Sequence, residues 1–292
     1  MTVILVDDDL RRTLAEELGA AVVSSSVVHG GDVAAAFAVD LDDGRRVFAK
    51  THPAPPAGFF TTEAAGLSWL RDADAPAVPA VLAVGDGPPA HLVLEWIDVG
   101  GSRSGTTEAD LGRSLAALHR AGAPCFGRED RRTTGSRGLP NEPCPTWAEF
   151  YATQRLLPLA RLARDGAALA EDACAALERV AGRLEDLGGE PEPPARLHGD
   201  LWAGNRVVDR AGRNWLVDPA AHGGHREFDL AMMRLFGGFG PDCFAAYQEV
   251  FPLAAGWQDR VALHQLAPLV VHAIKFGGGY RGAVLDALRG LG

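Results

Sequence analysis

The sequence reads as an α+β protein in two lobes: an antiparallel sheet with one main inserted helix, then a larger and mainly helical part. Three observations predict this. Five β-rich runs precede Asp98, namely "AVVSSSVVHGG", "DVAAAFAVDL", "RRVFAKTH", "AVPAVLAV" and "AHLVLEWI", whereas the periodicity beyond it is mainly helical. The stretch "GGSRSGTT" that follows is a flexible break in composition. At 292 residues the chain also exceeds the usual size of one domain. The expected lobes are residues 1–98 and 99–292.

The elements follow in order. "DDDLRRTLAEELG" opens with acids suited to a helix N-terminus, repeats Leu10, Leu14 and Leu18, and stops at Gly19, so it predicts a short amphipathic helix. The next three β-rich runs predict an antiparallel meander, its second turn at Asp43-Gly44. "TTEAAGLSWLRD" predicts the inserted helix before the last two strands. Beyond the break, "TEADLGRSLAALHRAG" is a helix with Thr107 as its cap and Gly122 as its stop. "TWAEFYATQRLLPLARLA" starts from a capping box, Thr146-x-x-Glu149, and "LAEDACAALERVAGRLEDLG" predicts one further helix. Residues 123–145 form a long Pro/Gly/Arg loop, a length that suits a role in substrate access. The hairpin "NRVVDRAGRNWLVD" and more helices finish the chain, with Met232 and Met233 in the core.

Composition narrows the function. A net charge of −10 and a pI near 5.4 argue against nucleic acid or an anionic membrane as partner, since both need a basic footprint. No stretch reaches membrane-spanning length and the N-terminus does not read as a signal peptide, so a cytosolic protein acting as a monomer is expected. Cys125, Cys144, Cys174 and Cys243 lack metal-site spacing and are expected as reduced thiols. Of 28 basic residues only Lys50 and Lys275 are lysines. A lysine kept against such a bias invites a reason specific to a compact ammonium, or is chance.

The chemistry gathers around "LHGDLWAGN", Leu197 to Asn205. A Pro-rich approach and a strand-like exit put it on a loop, where reactive side chains tend to lie, although such a loop is first of all a turn. His198, Asp200 and Asn205 have the spacing of H-x-D-x-x-x-x-N, as in the protein-kinase catalytic loop. Phosphoryl transfer asks for a carboxylate facing the attacking hydroxyl, which Asp200 would supply, and for metal ligands, which Asn205 and Asp218 would supply. Lys50 closes the third strand, and Glu63 on the following helix is its natural partner at a nucleotide's phosphates. Gly30 and Gly31 in "HGGD" either cradle phosphate or only make a tight turn. Glu95 and Ile97, closing the last strand before the break, are assigned to the nucleotide. A nucleotide-binding scaffold without activity is the rival of another class; retention of both metal ligands weighs against it.

"LHGDLWAGN", "LVDPAAHGGHREFDLAMMRLFGGF" and "HAIKFGGGY" resemble the ketosamine-3-kinase (fructosamine-3-kinase) family, itself similar to aminoglycoside and choline phosphotransferases within the protein-kinase-like fold. The resemblance runs through both lobes, from "GGDVAAAF" and "VFAK" to "FGGGY", and departs at "AHGGHRE", where the family usually has aromatic residues. It implies ATP with Mg²⁺ and phosphorylation of the third-carbon hydroxyl of a ketosamine, small or protein-bound, leading to deglycation. An aminoglycoside- or choline-type acceptor is the alternative. Trp202 then either forms one face of the sugar site or packs; His222, Glu227 and His225 are candidates for the substrate rim. His198 braces the loop, and Asp229 either caps its helix or accepts hydrogen bonds from the catalytic loop. Lys275 is a ligand contact or a surface residue.

Overall fold

A computed structural model of the chain describes residues 6–28, 33–131, 133–134 and 138–292. Helix α1 (Asp8–Leu18) begins where Asp7 accepts the Leu10 amide at 2.8 Å and ends at Gly19 in the left-handed region. Its Leu10 and Leu14 pack on one face of the sheet, against Val39, Val47, Ala49 and Val93. Strands β1 (Val22–Val28), β2 (Ala35–Leu41) and β3 (Arg46–Thr51) form the expected meander. Helix α2 (Phe59–Arg71) follows, then β4 (Val81–Gly85) and β5 (His91–Glu95). The spatial order is β1-β2-β3-β5-β4, antiparallel throughout, so β3 is central and Lys50 sits between Ala36 and Leu92. The start of α2 has no side-chain cap of its own; Asp86, from the β4–β5 turn, accepts the Phe60 amide at 2.9 Å instead. That anchors the helix to the sheet it was inserted into.

From β5 the chain crosses to the helical part along the later hairpin. The amides of Gly100 and Gly101 both donate to Val208 O at 3.2 Å. A side chain at Gly101 would collide with the backbone of Asp209, so the crossing requires glycine there. Helix α3 (Gly105–Arg120) starts two residues before the expected cap. Ser104 is the cap, and Thr107 is its reciprocal partner, its hydroxyl accepting the Ser104 amide at 2.8 Å. The 123–145 segment carries a minimal hairpin, β6 (Thr133–Thr134) and β7 (Leu139–Pro140). The single helix expected from Thr146 onward is α4 (Trp147–Phe150), a π-turn (Tyr151–Leu156) and α5 (Leu157–Asp165). The next expected helix breaks at Gly182-Arg183 into α6 (Glu171–Ala181) and α7 (Leu184–Leu187).

Strand β8 (Ala195–Leu197) leads into the catalytic-loop candidate, which ends in a 3₁₀ turn at Ala203–Asn205. The hairpin β9 (Arg206–Val208) and β10 (Asn214–Leu216) returns the chain to Asp218, and β11 (His222–Gly224) pairs back onto β8. Helices α8 (Glu227–Phe236), α9 (Pro241–Val250), α10 (Val261–Phe276) and α11 (Gly279–Gly290) complete the fold. One apolar core lies within the helical part. A second runs from Leu67 of α2 and Leu92 of β5 through Leu111 and Leu115 of α3 to Leu201, Leu216 and Leu230. This second core packs the sheet, α2 and the loop bearing Asp200 as one body. Among the described residues no helix is long and apolar enough to cross a membrane.

Candidate active site

The loop between β8 and β9 is shaped by groups that leave little conformational choice. Gly199 has φ 79°, and a Cβ there would run into the backbone of Ala220. The His198 and Gly199 amides donate to the two oxygens of Asp229 at 2.8 and 2.9 Å, and His119 Nε2 lies 3.3 Å from the same carboxylate. So Asp229, fully buried in the first turn of α8, accepts hydrogen bonds from the loop. His198 is also fully buried; its Nε2 donates to Val217 O at 2.9 Å, and its Nδ1 accepts the Asp200 amide at 3.3 Å. Burial pushes the imidazole below its ordinary pKa, and with both nitrogens engaged it braces the loop as a neutral ring.

Five polar side chains converge where this loop meets the sheet. Lys50 Nζ donates to Glu63 Oε1 at 2.7 Å and also to Asp218 Oδ1. Burial disfavours the ammonium, but these two carboxylates outweigh it and hold the Lys50 pKa above the usual lysine value. Glu63 is raised in turn, by burial first and by the like charge of Asp218, against the pull of Lys50. Asn205 Nδ2 donates to Asp200 O at 2.8 Å and to Asp200 Oδ2 at 3.1 Å, and reaches Asp218 O at 3.4 Å. Burial pushes the half-buried Asp200 carboxyl up to about 7; the Asn205 amide opposes this, Asp218 and Asp229 add to it, and Lys275 pulls it back. Asp218 itself has φ 54°, a left-handed backbone that a non-glycine adopts at a cost. The strained backbone and the Asn205 contact to its carbonyl set the Asp218 main chain, and the Lys50 ion pair fixes its carboxylate toward the cluster.

The same residues suit a magnesium–nucleotide complex. The Asp218 carboxylate remains 41% exposed while paired with Lys50, and the Asn205 amide oxygen accepts no hydrogen bond among the described residues because its nitrogen serves Asp200. A carboxylate and an amide oxygen are the hard donors that Mg²⁺ takes, alongside phosphate oxygens and water. Lys50 offers a compact positive charge beside them, as a polyphosphate requires.

Other candidates are distributed differently. Trp202 is 41% exposed, with Phe236 edge-on at 6.4 Å. His222 and Glu227 do not reach a substrate rim. His222 is buried on β11 and stacks on Phe150, and Glu227 is buried in a two-point pair with Arg260 at 2.6 and 2.9 Å. His225 is also buried, stacked on His264. A three-residue strand packed on β8 and a fully buried first turn of α8 turn these positions inward. Glu95 Oε2 accepts the Ala80 amide at 3.0 Å while its own amide donates to Ala80 O at 2.9 Å, and Ile97 is half-buried at the crossing. Gly30 and Gly31 lie outside the described residues. Lys275 is exposed at the end of α10, and its charge acts on Asp200.

Sequence reasoning missed two supports of the loop. Arg103 Nη2 donates to Ala203 O and Arg206 O, each at 2.9 Å, and the buried Arg206 guanidinium pairs with Glu108 of α3 and, at 2.9 Å, with Asn214. Arg103 lies a hundred residues from the carbonyl it holds, so no local pattern points to it.

A sheet with a buried lysine–glutamate pair, joined to a helical part that presents Asp200, Asn205 and Asp218, defines a kinase-like phosphotransferase. The family model described as fructosamine kinase matches residues 7–291. A solved Thermobifida fusca structure, designated a fructosamine-3-kinase, is 39% identical with a TM-score of 0.89, covering 98% of this chain and 99% of its own. The protein-ribulosamine 3-kinase of Arabidopsis thaliana is 33% identical over 290 residues, which is 97% of this chain and 87% of that protein. A choline kinase structure from Streptococcus pneumoniae, at 16% identity and a TM-score of 0.65 over 97% of this chain and 98% of its own, shares the fold. The chain belongs to the fructosamine kinase family and is a kinase of that fold.

Proposed function

We propose that the protein transfers the γ-phosphoryl group of Mg·ATP to the third-carbon hydroxyl of a ketosamine, with residues 1–98 as the nucleotide lobe and 99–292 as the catalytic and acceptor lobe. The observation that carries this reading is Lys50 bridging Glu63 and Asp218 beside the Asp200–Asn205 contact. Asp200 faces the acceptor hydroxyl and takes its proton as the oxygen attacks phosphorus. Lys50, held by Glu63, neutralises phosphate charge. Asp218 and Asn205 hold Mg²⁺, which when bound offsets the negative charge on the transferring group. His198, Arg103 and Asp229 keep the loop in place and need not touch substrate. Family membership and the similarity to a ribulosamine kinase support a ketosamine as acceptor. Phosphate on that carbon leaves more readily than hydroxyl once the neighbouring enaminol forms, so the adduct decomposes and releases the amine.

Labelled-phosphate transfer from Mg·ATP to ribulosyl-lysine, fructosyl-lysine, kanamycin and choline tests this. Transfer to a ketosamine is expected; transfer confined to kanamycin or choline would overturn the acceptor class, and none to any of them the reading itself. Trp202 is expected to form one wall for the protonated ketosamine nitrogen, a contact worth roughly 0.5–2 kcal/mol. Trp202→Leu should therefore raise the acceptor KM roughly 2- to 30-fold, with kcat and the KM for ATP little changed. An unchanged acceptor KM would leave Trp202 a packing residue.

A further inference from the structure

Trp69, six positions after Glu63 on α2, has two guanidinium groups over its ring. Arg128 stands 4.3 Å from its ring centroid and Arg196 4.6 Å. Arg196 Nη1 also donates to Trp69 O at 2.5 Å and its Nε to Gly122 O at 3.3 Å. Arg128 is buried and gripped at two points by Asp130, at 2.7 and 2.8 Å. Both arginines spring from one place. Gly223 of β11 pairs with Arg196 of β8 on one side and exchanges two backbone hydrogen bonds with Gly127, at 2.8 and 2.9 Å, on the other. Gly223 lies five positions after Asp218. A second contact ties the same two pieces of chain: Gly66 of α2 packs so closely on Pro219 and Ala221 that an added Cβ would lie 3.5 and 3.3 Å from their side chains.

We propose that Trp69 is a positioning residue, the centre of a latch that fixes α2 to the β8–β11 pair and so sets the separation of Glu63 and Asp218 around Lys50. A planar guanidinium over an indole ring is attracted by the ring's quadrupole, and two such contacts restrain the ring's tilt. One end of α2 is anchored to the sheet by Asp86 and the other is held by the latch. Lys50 is the group between the two carboxylates whose spacing this fixes. The first part of the 123–145 segment, which supplies Arg128 and Asp130, thus acts on α2.

The latch rests on the kinase reading, and the experiment separates the two. Wild-type transfer to a ketosamine is measured first; if none occurs that reading fails, while calorimetric binding of Mg·ATP still reports on the latch. Trp69→Leu is expected to lower kcat about tenfold and weaken Mg·ATP binding several-fold, with the acceptor KM within about twofold. Trp69→Phe, which keeps a flat aromatic face, restores most of kcat. In a Glu63→Gln background, Trp69→Leu costs less than about twofold more, because the residue through which it acts is already changed. Losses that multiply fully, or Trp69→Leu kinetics equal to wild type, overturn the proposal. Should Trp69→Leu not fold, Arg128→Lys carries the same cycle, since lysine keeps the charge but loses the planar stack.

Discussion

Asp200→Asn is expected to lower kcat by about three orders of magnitude, within the range that loss of a general base produces, while Mg·ATP binding and the fold persist. The amide still accepts from Asn205 and adds no bulk, so the loop has no reason to move; what disappears is the capacity to take a proton. The same change should stabilise the nucleotide-free protein at alkaline pH. The folded carboxyl is raised to about 7, above the roughly 3.9 of an aspartate in the unfolded chain. Its stabilising contribution is therefore complete below about pH 4 and is lost as pH climbs through 7. At ~1.36 kcal/mol per pKa unit the ionised group costs on the order of 3–4 kcal/mol at pH 8, less whatever solvent reaching the half-buried group screens. Thermal melts check this: the Asn variant should melt higher at pH 8, with the gap closing toward pH 4. Turnover within tenfold of wild type would remove Asp200 from the role of base, and equal melts at pH 8 would remove the cost of its burial.

A protein that tolerates such a cost at its centre has the charge pattern of a site that attracts a cation. Around Lys50 two carboxylates face one ammonium, and Asp200 adds a third acid close by. The surplus is negative. In the proposed complex it is Mg²⁺ that would offset this surplus; the nucleotide's phosphates bring further negative charge, which only the Lys50 ammonium faces.

Much of this arrangement was legible because it is written in short spacings. The H-x-D-x-x-x-x-N run fixes three residues on one loop, and the step from Lys50 to Glu63 is one strand end to the first turns of the next helix, so the 2.7 Å pair between them needs little tertiary information. The three-stranded meander and the number of strands followed from alternation and turns in the same way, whereas the place of β5 between β3 and β4 did not. Other features depend on contacts that sequence distance hides. Thr107 was readable as a capping residue but not as the reciprocal partner, because Ser104 and Gly105 look like part of the flexible break. His222 and Glu227 stand beside polar and glycine residues that read as a rim, yet strand pairing to β8 and the Arg260 pair turn them inward. Arg128 and Arg196 lie 59 and 127 positions from Trp69, and neither shows any local sign of the stack they form.

Asp229→Ala is expected to be the most destabilising single change in the site, on the order of 3–5 kcal/mol, and to cost activity indirectly. Its carboxylate is fully buried, and burial alone would raise its pKa; His119 and the Gly199 amide hold it below the ordinary value instead. Alanine would leave the His198 and Gly199 amides, now at 2.8 and 2.9 Å from acceptors, buried without partners, and would strand His119. Each orphaned group costs roughly 1–3 kcal/mol, a large part of the ~5–15 kcal/mol that keeps a domain folded. Asp229→Asn should lose about half as much, because its amide oxygen can satisfy only one of the two backbone donors while its NH₂ opposes the other. Because the folded pKa is depressed, this contribution exists above the unfolded value near 4 and fades as pH falls through the folded one, so the wild type should lose this advantage over Ala only in acid. Urea denaturation at pH 7.5 and pH 3.5 checks both statements, and hydrogen exchange at Gly199 reports the loop directly. Alanine and wild-type midpoints that coincide at pH 7.5 would mean that the loop is held by His198 and Arg103 without Asp229.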